Sequence, residues 1–215
     1  MMNGNAVIPF HSGSPMTIAG PTGSGKTYFV NRLLSSDMFT QPIASVLYCY
    51  GVYQDYYDDF KFSNLEFHQG VPTMDKINAI RDGNFHVIVL DDLMEYIVKS
   101  LDVQSLFTKH CHHYNMTAIF ITQNIFAQGP CARNINLNTH ILVLFANKRD
   151  KQQVDVLGKQ LFPTALNVFR EAYYDAIDRP YGYLIVDCSP MTPPEFQLRT
   201  NIFPGEESVC YIKKV

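Results

Sequence analysis

The sequence predicts an α/β domain built on a mostly parallel, doubly wound sheet with helices on both faces. Three observations carry that prediction. Short apolar runs alternate with helical stretches through most of the 215 residues, the pattern of repeated strand–helix–strand units. One run, residues 85–90 (FHVIVL), is continuously apolar, as a parallel strand covered on both faces must be. A glycine-rich loop, residues 20–27, joins a short apolar run to a helix-forming stretch.

Taken in order, residues 1–15 are a lead-in expected to pair with or cover the sheet. They lack the charged start and apolar run of a signal peptide. Residues 17–19 lead into the loop, where Gly20, Gly23 and Gly25 allow sharp turns. Lys26 and Thr27 then open a helix (TYFVNRLL). Gln41 and Pro42 break the chain, and 44–50 (ASVLYCY) is a buried strand. The aromatic and acidic stretch 51–62 (GVYQDYYDDFKF) has weak periodicity. It reads as a solvated helix or loop rather than a metal site built on Asp55, Asp58 and Asp59. Residues 65–69 form a short strand, and 73–81 a helix with Thr73 near its N-cap.

The strand 85–90 ends in Asp91 and Asp92, and helices follow over 93–100 and 103–113. Strand 117–121 ends in Thr122, Gln123 and Asn124. A polar loop, 126–138, carries Gly129, Pro130 and Arg133. Strand 139–146 closes in Asn147, Lys148, Arg149 and Asp150, with Asp150 placed to cap the next helix. A helix over 163–177 and a strand over 181–186 precede a tail with Pro190, Pro193, Pro194 and Pro204, expected to be mostly extended. The main domain is set at 16–203, with 204–215 as its tail.

Composition narrows the function classes. A formal charge of −3 argues against a generally basic nucleic-acid coat, but allows a local basic loop or a ring-shaped pore. The five cysteines are scattered with no C-x-x-C pair, which argues against zinc ribbons and disulfide frameworks and fits a reducing compartment, cytosol or nucleus. No stretch is long and apolar enough to cross a membrane. In KHCHHYN (109–115), neighbouring helical positions face different ways. Only His110 and His113, or His110 and Tyr114, share a face, so the segment reads as a polar helix end rather than a metal site.

The chemistry sits at the strand ends. Gly20, Gly25, Lys26 and Thr27 meet the pattern G-x-x-x-x-G-K-[ST] of a P-loop. Gly20, Pro21, Thr22, Gly23, Ser24, Gly25, Lys26 and Thr27 would wrap the phosphates of ATP, with Lys26 reaching the β/γ-phosphates and Thr27 holding Mg²⁺. Asp91 would bind Mg²⁺ through its waters, and Asp92 would act as base on the attacking water. Two adjacent acids are costly unless a cation or shared proton relieves them. The Gln123 amide can bond water or the γ-phosphate, with Asn124 the weaker candidate. Arg149, supplied from a neighbouring subunit, would stabilise the developing charge, and Arg133 is the second choice. These strand ends would converge on one crevice.

The blocks GPTGSGKT, VIVLDDLM, HHYNMTAIFITQN and NTHILVLFANKRDKQQVDVLGKQLFP, in that order, resemble the FtsK/HerA-type genome-packaging ATPases, in particular those of poxvirus-type viruses and Polinton/Maverick transposons. The similarity covers about residues 16–203. It implies an ATP-driven motor that moves double-stranded DNA into a preformed capsid. The motor would be a ring, usually of six copies, meeting a capsid or portal-vertex protein at an assembly site in the host cytoplasm or nucleus. The acid pair is Asp-Asp where the wider superfamily has Asp-Glu, as in the viral branch. Two other readings stay open: a small P-loop nucleotide kinase, against which the lack of an arginine-rich lid counts, and a non-hydrolysing nucleotide-gated assembly factor, against which Asp91, Asp92 and Gln123 count.

Overall fold

Residues 8–97, 100–126, 135, 137–147, 149 and 151–213 are described by the computed structural model. Along the chain run β1 (Met16–Ala19), α1 (Lys26–Leu34), β2 (Ser45–Tyr50), β3 (Leu65–Gln69), α2 (Met74–Ala79), β4 (His86–Asp91), α3 (Met94–Ile97), α4 (Leu101–Ser105), α5 (Cys111–His113) and β5 (Met116–Thr122). Then come β6 (Ile141–Phe145), α6 (Lys151–Leu161), α7 (Leu166–Ala176), β7 (Tyr183–Asp187), β8 (Leu198–Thr200) and β9 (Val209–Cys210). The expected cap Asp150 and the loop residues Gly129, Pro130 and Arg133 lie outside the described residues, as does Lys148.

The strands form one sheet in the order β3-β2-β4-β5-β1-β6-β7-β8-β9. From β3 to β6 every pairing is parallel, and from β6 onward every pairing is antiparallel. This is the mostly parallel α/β sheet that the alternating pattern predicts. All residues of β4 and β5 are buried, because helices cover both faces of the centre. On one face α1 lays Phe29, Val30 and Leu33 over Ile18, Val89 and Ile121. On the other, α2 to α5 cover β2, β4 and β5 through Ile77, Ile97, Val103 and Cys111, while α6 and α7 cover β1 and β6 to β8. Gly158 permits the α6–α7 contact, since a Cβ there would lie 2.5 Å from the Phe169 ring.

Cys111 is one of these core residues, and burial pushes its thiol up to about 12. Thr73 caps α2, accepting from the Lys76 amide at 3.4 Å. The proline-rich tail folds more than its composition suggests. β8 and β9 join the sheet edge, and Arg199 of β8 reaches Asp187 at 2.9 Å with both side chains 2% exposed. Its guanidinium also lies 4.8 Å from the Phe10 ring. A buried ion pair of this kind ties in a strand too short to be recognised locally.

The stretch 51–62 divides in two. A 3₁₀ turn over Asp55–Asp59 leaves Asp55, Asp58 and Asp59 in solvent as expected. Its aromatic residues turn inward, and Tyr57 is 1% exposed, packing on Tyr48, Phe60 and Phe67 with centroids 5.1–6.0 Å apart. The apolar area of the rings, in tilted, edge-to-face and stacked contacts, outweighs the acidity of the segment.

Candidate functional site

Register brings the strand ends level. Ala19 of β1 lies opposite Thr122 of β5, and Asp91 of β4 opposite Ile121. The Gly20 amide continues the ladder to the Thr122 carbonyl at 3.2 Å, and the Gly51 amide to the Asp91 carbonyl at 3.2 Å. The P-loop, the acid pair and Gln123 therefore leave three adjacent strands at their carboxyl ends, where ligands bind in open α/β sheets.

The loop needs its glycines for close approach. A Cβ on Gly20 would sit 2.6 Å from the Phe145 Cβ and 2.8 Å from the Ser24 Oγ. Gly25 caps α1 with φ 101, a left-handed conformation. No side chain caps this helix, and its first turn holds no acid. Its free N–H groups and positive dipole end remain available to an anion. The Lys26 ammonium folds back onto the carbonyls of Gly20 and Pro21 at 2.7 and 2.9 Å. Burial holds its pKa below the usual lysine range, opposed by the charges of Asp91 and Asp92. The Ser24 hydroxyl is buried with no partner among the described residues. An unpaired hydroxyl and an ammonium resting on its own loop both fit a phosphate chain.

Asp91 is 4% exposed. Its Oδ2 accepts from the Tyr48 hydroxyl at 2.6 Å and the Tyr57 hydroxyl at 3.0 Å. Burial raises its pKa; the two tyrosines pull it down, Asp92 raises it, and Lys26 lowers it. Both donors use the same oxygen, which leaves Oδ1 for a cation. The donor set fits Mg²⁺, a hard ion that takes one or two carboxylates and keeps waters. Thr27, in the first turn of α1, is the second protein ligand the motif calls for. Asp92 differs from its neighbour. It is exposed and held at φ 53, which turns the chain out of β4 at once.

Two adjoining cavities share Gln123. One, of 520 Å³, is lined by Pro21, Thr22, Gly23, Ser24, Gln123, Asn147, Arg149 and Tyr181. The other, of 450 Å³, is lined by Gly51, Asp92, Gln123 and Asn124 among others. The structure thus brings Gln123 and Arg149 to the P-loop cavity and places Asp92 and Asn124 in the neighbouring one. Arg149 lines the P-loop cavity of its own chain. An Asx turn, the Arg149 amide to the Asn147 Oδ1 at 3.1 Å, sets the backbone there. Among the described residues, no group of three or more His, Cys, Asp and Glu comes together as a metal site. No helix among them is long and apolar enough to cross a membrane.

Sequence reasoning missed Tyr48, Tyr57 and Tyr181. Period-two alternation puts Tyr48 on the same sheet face as Tyr50, and β2 pairs with the strand that ends in Asp91. Nothing local signals the reach of Tyr57, 34 residues from its partner.

No protein-family model and no curated protein matches the chain. The fold is similar to solved structures of viral proteins. The DNA-packaging ATPase B204 of Sulfolobus turreted icosahedral virus superposes with a TM-score of 0.59 at 11% identity, over 96% of this chain and 100% of that one. The genome-packaging NTPase B204 of Sulfolobus turreted icosahedral virus 2, in complex with ATP-gammaS, gives 0.59 at 12% identity, over 95% and 99%. In complex with AMPPCP it gives 0.56 at 14% identity, over 83% and 94%. At these identities the likeness is one of fold: this chain has an α/β P-loop NTPase fold.

Proposed function

We propose that the chain is an ATP-hydrolysing motor that drives double-stranded DNA into a preformed capsid as a ring of identical subunits. The observation that carries hydrolysis is the convergence, at three adjacent strand ends, of an uncapped glycine loop, a lysine and a buried carboxylate that electrostatically faces that lysine. The packaging reading rests on the TQN and FANKRD blocks. The likeness in fold to proteins described as packaging NTPases, over 96% and 95% of this chain, supports it.

Each residue has a task in this reading. Lys26 exchanges its two carbonyl partners for the β/γ-phosphates. The loop amides and the Ser24 hydroxyl hold the phosphate chain. Thr27 and the Asp91 Oδ1 would hold Mg²⁺, which when bound neutralises charge between the β- and γ-phosphates. Asp92 and Gln123 share a cavity and orient and deprotonate the attacking water. Arg149, on the rim of its own P-loop cavity, stabilises charge on the transferring oxygens in cis. The near-neutral subunit grips DNA through a few cations gathered at the ring's pore, so binding should weaken as salt rises.

The test is ATP turnover with and without double-stranded DNA, together with the oligomer's mass. A motor turns over faster with DNA and sediments as a ring. Turnover that depends on a nucleoside or nucleotide acceptor, with no response to DNA, replaces the proposal with a small kinase.

A further inference from the structure

Four non-glycine residues among those described have positive φ: Asp92, Asn115, Tyr181 and Asn201. Asp and Asn tolerate the left-handed region through local hydrogen bonding. Tyr181, at φ 58, has no such excuse. It occupies the third position of a tight turn, Arg179-Pro180-Tyr181-Gly182, closed by the Gly182 amide on the Arg179 carbonyl at 3.0 Å. Proline at the second position and a positive φ at the third make the pattern of a type II turn, whose third residue is ordinarily glycine or asparagine. An aromatic side chain is thus kept where the backbone favours none, and strain of this kind gathers at ligand sites.

The ring is placed for use. Tyr181 is 69% exposed, yet it lies against the P-loop: a Cβ on Gly25 would sit 3.2 Å from its Cδ1. It stands between two cavities, the P-loop cavity and a 220 Å³ recess beside the start of α1. The recess is lined by Tyr28, Phe29, Phe145, Tyr183 and Phe203, with Arg32, Arg179 and Glu206 at its polar edge. Two of these charges are paired, and Arg179 is exposed. Arg32 pairs with Glu206 at 2.5 Å and lies 4.1 Å from the Phe203 ring centroid, and Arg179 donates to the Thr200 hydroxyl at 3.4 Å. Apolar walls with the charges confined to the edge suit a flat aromatic ligand.

We propose that Tyr181 is the stacking platform for the nucleobase of the bound triphosphate, and that the recess behind it receives the base. The inference rests on the P-loop reading above and adds the half of the nucleotide that the loop does not touch. A single stack contributes about tenfold or more in affinity. It tolerates different bases, because every base has a π-face.

Binding of ATPγS and of inorganic tripolyphosphate, both with Mg²⁺, tests it by calorimetry on wild type, Tyr181→Gly and Tyr181→Phe. Tyr181→Gly suits the turn, so its melting temperature should be equal to or above that of wild type. It should lose about tenfold for ATPγS and nothing for tripolyphosphate. Tyr181→Phe should behave as wild type. Unchanged ATPγS affinity in Tyr181→Gly, or an equal loss for both ligands, overturns the base platform while leaving the P-loop reading intact. Failure of wild type to bind either ligand overturns the P-loop reading, and this inference falls with it.

Discussion

Replacing Tyr57 by phenylalanine removes one oxygen and leaves the packing alone. The ring keeps its place, stacked on Phe67 at 5.4 Å and tilted against Tyr48 at 5.1 Å. What disappears is one of two donors to the Asp91 Oδ2, the longer at 3.0 Å against 2.6 Å for Tyr48. A hydrogen bond to a charged group contributes about 1.5–3 kcal/mol, and the longer bond belongs at the low end. About 1.5 kcal/mol is about tenfold in an equilibrium constant. Asp91 already has a pKa above the carboxylate norm because of burial. Losing a donor to its ionised form raises it further. In steady-state turnover, Tyr57→Phe should need about tenfold more Mg²⁺ for half-saturation, and the acid limb of its pH profile should move to higher pH. Thermal unfolding without ligand should change little. An unaltered Mg²⁺ dependence and an unaltered acid limb would refute the idea that the tyrosines tune Asp91.

The other predictions concern the same strand ends. Lys26→Ala should abolish triphosphate binding measured by calorimetry, and normal turnover in that variant would remove the P-loop assignment. Asp92→Asn should bind ATP as wild type but lose hydrolysis; equal loss of both would make Asp92 a structural residue. Asp91→Asn should abolish turnover yet raise the melting temperature of the ligand-free protein at neutral pH. With its folded pKa raised, Asp91 binds its proton more tightly in the folded state, so the wild type loses stability as pH rises through that range and regains it as pH falls. The gap between variant and wild type should therefore narrow in acid. Mixing Arg149→Ala with Lys26→Ala subunits should restore no hydrolysis if Arg149 serves its own P-loop, whereas recovery at any ratio would place the guanidinium in the neighbouring subunit.

The sheet was legible where its physics is local. A strand covered on both faces has to be apolar at every position, so residues 85–90 announce β4. A loop so close to its neighbour that a Cβ on Gly20 would lie 2.6 Å from the Phe145 Cβ has to use glycine, so Gly20 and Gly25 announce the turn. What stayed hidden was set by distance along the chain or by brevity. β8 and β9 are three and two residues long, too short to show a period, and Arg199 is brought into the sheet by an aspartate twelve residues away. Tyr57 lies in an acid-rich stretch whose charges suggest solvent, and its buried partner is 34 positions distant. Tyr181 reads as the start of a strand, but β7 begins at Tyr183. Its departure from ordinary turn chemistry becomes visible only with the backbone angle.

Displacement of a third strand from a DNA triplex tests the central claim most directly, because only a protein that moves along the duplex strips that strand off. With ATP and Mg²⁺ the wild-type protein should release the third strand at a rate that falls as salt rises, and Lys26→Ala should release none. Steady ATP hydrolysis on the same DNA with no release would contradict a translocating motor and leave an ATPase of another kind.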